Sequence, residues 1–443
     1  MNNTNETKLE FKALQITDWA KLDNKQRQNT LCRPAMDESA LLETQVRNII
    51  NQVKGKGDQA LLELTKRFDG ANLANLKIGQ DQITQAIDGL SPKRLTALKQ
   101  AYDQIQRFHA AQRQEDITVE TCPGVICTLK TEAIESVGLY IPAGTAPLPS
   151  TVLMLGVPAQ LANCSRKVLV SPPDANGNIA PEVLAAASLC EIEEIYAVGG
   201  AQAVAALALG TESIESVNKV FGPGNKFVTE AKKQLSQQIP GFAIDMPAGP
   251  SEVLVIADEQ ANAAYVAADL LSQAEHGTDS QVILLSNSSQ LLSAVNKELS
   301  EQLNTLSRSD TAIQALSKSR FILVRSLDQA VEVSNLYGPE HLIIQTKNPQ
   351  QWIGKLRNAG SIFIGQYTPE SAGDYASGTN HVLPTYGYSK VVSSLSLADF
   401  SRRYTVQEIS KKGLANLADC IIELTNAEGL DAHQRAVTIR LEK

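Results

Sequence analysis

Histidine is scarce in this chain, with five among 443 residues. Lysine and arginine form no long block, and the formal net charge of −8 disfavours nucleic acid and anionic membrane surfaces as partners. The most apolar segment, residues 195–209, is shorter than the roughly 20 apolar residues that a membrane span needs. The first residues offer neither the basic region nor the apolar core of a signal peptide, so none is expected.

The six cysteines are scattered and include no C-x-x-C pair. This spacing predicts reduced thiols in a cytoplasmic protein, not a metal knuckle or a disulfide frame. The content of 43% hydrophobic and 20% charged residues is typical of a soluble globular protein, and the length allows two or three domains. Neither H-E-x-x-H nor G-x-G-x-x-G occurs, so no compact signature identifies a zinc protease or a dinucleotide site.

Apolar strand-like runs alternate with helix-like segments along most of the chain. This alternation predicts an α/β fold with two open, parallel, Rossmann-like sheets that carry helices on both faces. The predicted strands are 136–141, 167–171, 195–198, 219–221, 253–257, 282–286, 321–324, 342–345 and 361–364. Residues 124–135 alternate like a hairpin of exposed strands.

The same patterns predict four parts of the chain. They are a polar and irregular N-terminal arm (1–35), a first α/β domain with most of the candidate site (36–139 and 251–395), an inserted second α/β domain with glycine-rich loops (140–250), and a small, mainly helical C-terminal domain (396–443). The stretch 245–250, Asp-Met-Pro-Ala-Gly-Pro, is expected to be the junction between the two sheets.

The stretch Tyr337-Gly-Pro-Glu-His341 places a carboxylate beside an imidazole, directly before the apolar run of residues 342–344. Glycine and proline fix a turn, and the run predicts a short buried strand. The pair would then lie at a strand mouth, where α/β enzymes place their chemistry. An ordinary polar loop is the alternative. Four of the five histidines fall in segments rich in turn residues, carboxylates or amides, which favours a histidine-dependent site; His109, in a helical stretch, is interpreted as a surface or packing residue.

Other polar residues are candidates for a metal site. Gln273 and His276 lie three apart at a helix end and project from one face. His276 and His433 are good zinc ligands, and Asp374, in a long polar loop with small neighbours, is a plausible third. Gln273 is an unusual ligand because a neutral amide oxygen is a weak donor. Spacing alone leaves open a zinc site or simply polar helix ends with a solvated loop.

Two glycine-rich turns follow strands and open helices: Gly199-Gly-Ala-Gln202 and Gly222-Pro-Gly-Asn225. Both could bind a phosphate group on helix N-terminal amides, or they could serve only the packing of small residues. Tyr140, in a third loop at a strand end, could stack on a flat ring or belong to the core.

Seven long strings give the chain a resemblance to the histidinol dehydrogenase family. They are GLYIPAGTAPLPSTVLMLG, VGGAQAVAALA, FGPGNKFVTEAK, DMPAGPSEVLVIAD, LLSQAEHG, YGPEHLIIQT and SAGDYASGTNHVLPTYGYS, and the resemblance extends from about residue 137 to residue 441. It implies an NAD-dependent, zinc-dependent oxidation of L-histidinol through L-histidinaldehyde to L-histidine, the last steps of histidine biosynthesis.

The resemblance also implies roles for individual residues. Zinc would be bound by Gln273, His276, Asp374 and His433, and Glu340 with His341 would be the acid/base pair. The amino alcohol would also contact Ser251, His381 and Glu428, and the NAD site would be lined by Tyr140, Gln202 and Asn225. A homodimer is implied, in which His433 and Glu428 complete the site of the partner. Two other classes stay open: a zinc hydrolase that uses Glu340, and a non-catalytic binding protein for histidine-like ligands.

Overall fold

The structure is a computed structural model that describes residues 9–34, 40–143, 147–246 and 249–442. Parts of the predicted arm, of the loop after Tyr140 and of the predicted junction at 245–250 lie outside the described residues.

The strands and helices alternate over most of the chain, as the sequence predicts. The strands are β1 (Ile16–Asp18), β2 (Ile117–Cys122), β3 (Val125–Ala133), β4 (Ser136–Tyr140), β5 (Arg166–Ser171), β6 (Glu194–Ala197), β7 (Lys219–Phe221), β8 (Ala243–Ile244), β9 (Glu252–Ala257), β10 (Gln281–Ser286), β11 (Arg320–Leu323), β12 (His341–Gln345), β13 (Ser361–Ile364) and β14 (Ser401–Ile409). The helices are α1 (Asn24–Thr30), α2 (Ala40–Lys56), α3 (Asp58–Phe68), α4 (Gln80–Asp88), α5 (Pro92–Ala110), α6 (Pro149–Leu161), α7 (Pro181–Leu189), α8 (Gly200–Leu209), α9 (Lys226–Gln238), α10 (Ala263–Ala274), α11 (Ser289–Leu303), α12 (Ser309–Ser317), α13 (Leu327–Tyr337), α14 (Glu370–Tyr375), α15 (Lys411–Glu428) and α16 (Asp431–Leu441).

Two parallel sheets form the body of the fold. The six-stranded sheet has the order β1-β11-β10-β9-β12-β13, and the five-stranded sheet has the order β6-β5-β4-β7-β8. Successive residues of a strand enter opposite cores: Val253 and Val255 of β9 face one apolar cluster, while Leu254 and Ile256 face another. Both faces are therefore covered, which explains why the strands are apolar without alternation. The predicted fold class is confirmed.

Helices α2 to α5 pack on the five-stranded sheet's own helices, with α2 against α8 and α9, α4 against α7, and α5 against α6. β4, which the predicted boundary at residue 140 separates from β5, pairs with β5 and β7. These contacts join α2 to α5 and β4 to the five-stranded sheet, whereas the prediction groups residues 36–139 with residues 251–395. Periodicity along the chain could not indicate which sheet a helix covers.

The two ends of the chain contain more regular structure than expected. The described part of the arm is not irregular, because β1 pairs with β11 and forms an edge of the six-stranded sheet, and α1 begins at an Asp23 capping box. The C-terminal segment is helical in α15 and α16, but it also contributes β14, which pairs antiparallel with β3 along nine residues and completes a three-stranded sheet with β2. Residues 124–135, predicted to be a hairpin, contain the single strand β3, and its hairpin partner β2 lies before the predicted range. Among the described helices, none is long and apolar enough to cross a membrane.

Candidate active site

Glu340 and His341 lie at the amino end of β12, inside the six-stranded sheet. α13 ends at Gly338, whose left-handed backbone (φ 66°, ψ 68°) turns the chain through Pro339 into the strand. β12 lies between β9 and β13, so both side chains are buried, with 6% of Glu340 and 4% of His341 exposed. The predicted turn and buried strand are confirmed. Ligands of parallel sheets usually bind at the carboxyl ends of the strands, but this pair lies at the opposite edge because the turn precedes its strand.

The backbone of Glu252, the first residue of β9, holds both side chains. Its N–H donates to Oε2 of Glu340 at 2.8 Å, and its carbonyl oxygen accepts from Nδ1 of His341 at 3.0 Å. Because a carbonyl oxygen can only accept, this bond assigns the ring proton of neutral His341 to Nδ1. Nε2 is buried, has no hydrogen-bond partner among the described residues and lies 3.7 Å from Oδ1 of Asp374. The nitrogen that can accept a proton therefore faces the metal-site candidates.

Carboxylates surround the ring of His341. Glu340 Oε2 and Glu370 Oε1 lie 3.7 and 3.8 Å from Nδ1. Burial alone would lower the pKa of His341, but the carboxylates of Glu370, Glu340 and Asp374 raise that pKa to about 10. Burial raises the pKa of Glu340 to about 8, against the opposite effect of His341. The cluster holds more buried carboxylates than one imidazolium can balance, which favours the binding of a further cation. A cation bound among these carboxylates would lower the pKa values of His341 and Glu340, and it would so favour the neutral ring and the ionised carboxylate, the forms that can accept protons.

Glu370 belongs to this cluster, although the sequence reasoning did not identify it. α14 is a short helix where a loop was expected, and its residues Glu370 and Asp374 lie four apart and share a face. One potential ligand atom from each of His276, Glu370 and Asp374 lies within 4.8 Å of the others. The Glu370 side chain is almost fully buried, with 1% exposed. The spacing of Glu370 and Asp374 is the sequence signal that could have found it.

Gln273 lies in the last turn of α10, and its side chain is 1% exposed. Its amide nitrogen donates to the carboxylate of Glu370, 3.1 Å from Oε2, when the amide is oriented with its nitrogen towards that group. The amide oxygen then points away from Glu370. A buried carboxylate therefore provides the orientation that an amide oxygen ligand needs, as carboxylates behind metal-bound side chains commonly do.

His381 connects the two parallel sheets. Its Nδ1 donates to the carbonyl oxygen of Asp374 at 2.9 Å, and its Nε2 accepts from the hydroxyl of Thr151 on α6 at 3.2 Å. The neighbouring Asn380 donates to the carbonyl of Met154 at 2.7 Å and to Nε2 of His109 at 3.4 Å. His109 is fully buried, so the packing interpretation is confirmed and the surface interpretation is wrong.

Of three further predicted residues, one lies next to this cluster in sequence and two lie on the C-terminal helices. Ser251 directly precedes Glu252, and its carbonyl accepts from the N–H of Gln281 at 3.2 Å. Glu428 ends α15 and His433 lies in the first turn of α16, both exposed. Among the described residues, no hydrogen bond or ion pair joins Glu428 or His433 to the cluster. The single chain therefore does not bring these two residues to the other candidates.

The predicted dinucleotide residues follow strands of the five-stranded sheet at its carboxyl edge. Tyr140 ends β4 and is buried, with its hydroxyl accepting from the N–H of Gly200 at 3.1 Å, so its ring belongs to the core. Burial raises the pKa of Tyr140 to about 12. Gln202 is buried on α8, and its Oε1 has no hydrogen-bond partner among the described residues. Asn225 caps α9 by accepting from the N–H groups of Phe227 and Val228. Both glycine turns open helices, as predicted.

A buried carboxylate–imidazole pair lies beside side chains of the kind that bind metals, and a second parallel sheet carries glycine turns that open helices. Such a site can move a proton and bind cofactors, as an oxidoreductase requires. The family model for histidinol dehydrogenase matches residues 32–441. The chain belongs to the histidinol dehydrogenase family.

Relatives with the family's name match the chain over nearly its whole length. The histidinol dehydrogenase of Colwellia psychrerythraea is 70% identical over 429 residues, which are 97% of this chain and 99% of that protein. That of Aliivibrio fischeri is 57% identical, with 96% of each chain covered. The crystal structure of histidinol dehydrogenase from Elizabethkingia anophelis superposes with a TM-score of 0.94 at 45% identity, covering 98% of this chain and 99% of that one.

Proposed function

We propose that the chain catalyses the NAD-dependent oxidation of L-histidinol to L-histidine through L-histidinaldehyde, the last steps of histidine biosynthesis. Membership of the histidinol dehydrogenase family supports the substrate and the class of reaction. The observation that carries the mechanism is the hydrogen bond from Nδ1 of His341 to the carbonyl oxygen of Glu252. It leaves the buried Nε2, which has no hydrogen-bond partner within the described ranges, directed at the metal-site candidates.

The cluster fits a zinc ion. Gln273, His276 and Asp374, with His433 of the partner subunit, would hold the metal through one amide oxygen, two imidazoles and a carboxylate. The buried negative charge around His341 supports this assignment, because a cation would offset it. When bound, zinc would hold the amine and imidazole nitrogens of the substrate and so orient it. Glu370 would fix the amide of Gln273 so that the oxygen is presented to the metal.

The carboxyl edge of the five-stranded sheet would bind NAD. Gln202 has a buried oxygen with no hydrogen-bond partner in the described part of the chain, and Asn225 lies exposed at the start of α9, where backbone N–H groups favour an anion. Tyr140 would contribute by holding the Gly200 turn, since its hydroxyl accepts from the backbone there. When bound, NAD would accept a hydride in each of two successive rounds.

In the first oxidation His341 acts as the general base. Nε2 takes the hydroxyl proton of the alcohol while a hydride leaves the carbon that bears this hydroxyl for NAD. This yields the aldehyde, with the proton held on His341. The hydrogen bond from Nδ1 to Glu252 keeps the ring in the required orientation, and it stabilises the imidazolium that forms. His381 and Thr151 hold Asp374 and the start of α6 next to this position.

In the second oxidation Glu340 activates water. One carboxylate oxygen is held by the N–H of Glu252, so the other can take a proton as water adds to the aldehyde. Protonated His341 returns its proton to the aldehyde oxygen as water adds, which completes the hydrate and leaves the ring neutral. The ring then takes a hydroxyl proton of the hydrate as the second hydride leaves for NAD, and the product is the carboxylic acid. The burial of Glu340 and His341 keeps bulk water from the reactive aldehyde.

We also propose a cytoplasmic homodimer that completes each site from two chains. The exposed positions of Glu428 and His433 on the C-terminal helices would allow both to reach the partner. Exposed apolar side chains in the same region support an interface: Tyr404, Val406, Leu424 and Ile439. The six cysteines are free, which is consistent with a reducing compartment.

The test is NADH formation from L-histidinol, measured before chelation, after chelation and after zinc is returned. Two NADH per histidinol, lost on chelation and restored by zinc, is the expected result. If NADH formation were unchanged by chelation, the dehydrogenase activity would stand and the zinc assignment would be wrong. Zinc-dependent cleavage without NADH would favour a hydrolase that uses Glu340, and ligand binding without any turnover would favour a non-catalytic binding protein.

A further inference from the structure

Arg33, near the end of the described part of the N-terminal arm, reaches the backbone next to the Glu340–His341 pair. Its guanidinium makes two parallel hydrogen bonds to the carboxylate of Glu252, from Nε to Oε1 at 2.5 Å and from Nη2 to Oε2 at 2.9 Å. Only 13% of the Arg33 side chain and 3% of the Glu252 side chain are exposed. A buried, two-pronged contact of this kind fixes both position and direction.

Every polar group of Glu252 forms a hydrogen bond. Its side chain binds Arg33 and also accepts from the N–H of Tyr386 at 3.0 Å, while its backbone binds Glu340 and His341 as described above. A displacement of Glu252 would therefore move the two bonds that orient the acid/base pair. The carboxylate of Glu252 depends on Arg33 for its charge partner.

Arg33 also binds the turn that leads into Glu340. Nη2 donates to the carbonyl oxygens of Tyr337 and Gly338, both at 3.1 Å. The guanidinium carbon lies 3.8 Å from the centroid of the Tyr337 ring, which is within the range of a cation–π contact. Tyr337 is buried and its hydroxyl donates to Gln281 at 2.8 Å, so this surface is rigid. One side chain of the arm therefore connects β9 with the turn before β12.

We propose that Arg33 is a positioning residue for the Glu340–His341 pair and that this is a role of the N-terminal arm. The inference rests on the proposed function of that pair. Arg33 acts through Glu252 and the turn at Gly338. It forms no hydrogen bond with either catalytic candidate among the described contacts.

The test compares Arg33→Met and Arg33→Lys with Arg166→Met. Arg166 is a matched control: it makes a two-pronged bond to Glu194 at 2.8 Å and donates to the carbonyls of Glu215 and Ser216, but it lies at the start of β5 in the other sheet. Arg33→Met should lower kcat roughly 10²-fold, the effect of a misplacement of about 1 Å, with zinc content and the KM for histidinol near wild type. Arg33→Lys should recover little, because one ammonium group cannot form the fork. Arg166→Met should lower stability and leave kcat unchanged.

A double variant guards against a simple folding defect. Arg33→Met leaves Glu252 buried and unpaired, which is destabilising, whereas Arg33→Met combined with Glu252→Gln removes that charge. The double variant should recover stability but not kcat. Recovery of kcat together with stability, or a folded Arg33→Met with wild-type kcat, would overturn the positioning role.

A second measurement separates this inference from the proposed function. Nitrogen NMR of histidine-labelled protein should show a protected Nδ1 proton on His341 in the wild type and faster exchange of that proton in Arg33→Met. If the wild type makes no NADH but the Nδ1 proton of His341 exchanges faster in Arg33→Met, the proposed function fails and the inference stands. If the wild type makes NADH and the proton is equally protected in the variant, the inference fails alone.

Discussion

Replacing Gly338 with alanine tests whether the turn before Glu340 sets the geometry of the site. Gly338 has φ of 66°, and a Cβ atom there would lie 2.9 Å from Cε of Lys390 and 3.0 Å from Oγ of Ser389. Alanine in the left-handed region costs roughly 1–2 kcal/mol. Lys390 would have to move, although its Nζ donates to the carbonyl of Leu336 at 2.6 Å, and loss of that bond costs about 1 kcal/mol. The free energy of unfolding should therefore fall by roughly 2–3 kcal/mol.

The matched control for this variant is Gly241→Ala. Gly241 also has a positive φ, 83°, but no atom of the described residues lies within 4 Å of its Cβ position, and it precedes β8 in the other sheet. Urea unfolding and NADH formation are measured for both variants. Gly241→Ala should lose only about 1 kcal/mol and keep its kcat. Gly338→Ala should lose more stability, and its kcat should fall at least about tenfold because the carboxylate and the ring shift. Equal stability losses with wild-type kcat in both would refute the reasoning.

His341→Asn should fold and bind zinc but lose roughly 10²–10⁴-fold in turnover; wild-type turnover would exclude His341 as the base. Glu340→Gln should impair oxidation of supplied aldehyde more than oxidation of the alcohol, and equal losses in the two half-reactions would assign it to orientation of His341. Glu370→Gln should weaken zinc binding about 10–100-fold, measured by competition with a coloured chelator, because the Gln273 amide loses its charged acceptor; unchanged affinity would exclude that role. A double-mutant cycle with Gln273→Ala should show that the two effects are not additive.

The sequence predicts the parallel sheets well because their strands are buried on both faces. Val253 to Ala257 and Leu342 to Gln345 are continuous apolar or buried runs between helical segments, a pattern that needs no tertiary information. β14 was missed because it is exposed along almost its whole length and gains its stability from pairing with β3, more than 260 residues earlier in the chain. β1 is three residues long and has regular structure only through β11.

The candidate site was predicted where its residues lie in distinctive strings, and missed where tertiary contacts define them. Glu340 and His341 stand out beside Gly338 and Pro339. Glu370 is a carboxylate in a polar stretch, and only the packing of α14 against α10 brings it to Gln273. Arg33 is an arginine in a segment that was expected to be irregular, and its proposed role rests on a contact with a residue 219 positions away. Such contacts leave no local pattern.

The candidate site lies at the amino edge of the six-stranded sheet, and the arrangement of the two parallel sheets explains this position. The glycine turns open at the carboxyl edge of the five-stranded sheet, and Thr151 on α6, which follows β4, binds His381 beside Asp374. That contact places the carboxyl edge of one sheet next to the amino edge of the other. An acid/base pair at the carboxyl end of β12 would lie a strand length away from this contact, on the far side of the sheet. A hydride donor must lie in contact with its acceptor. Under the proposed function, the position of His341 before β12 would therefore let each sheet supply one half of a single reaction.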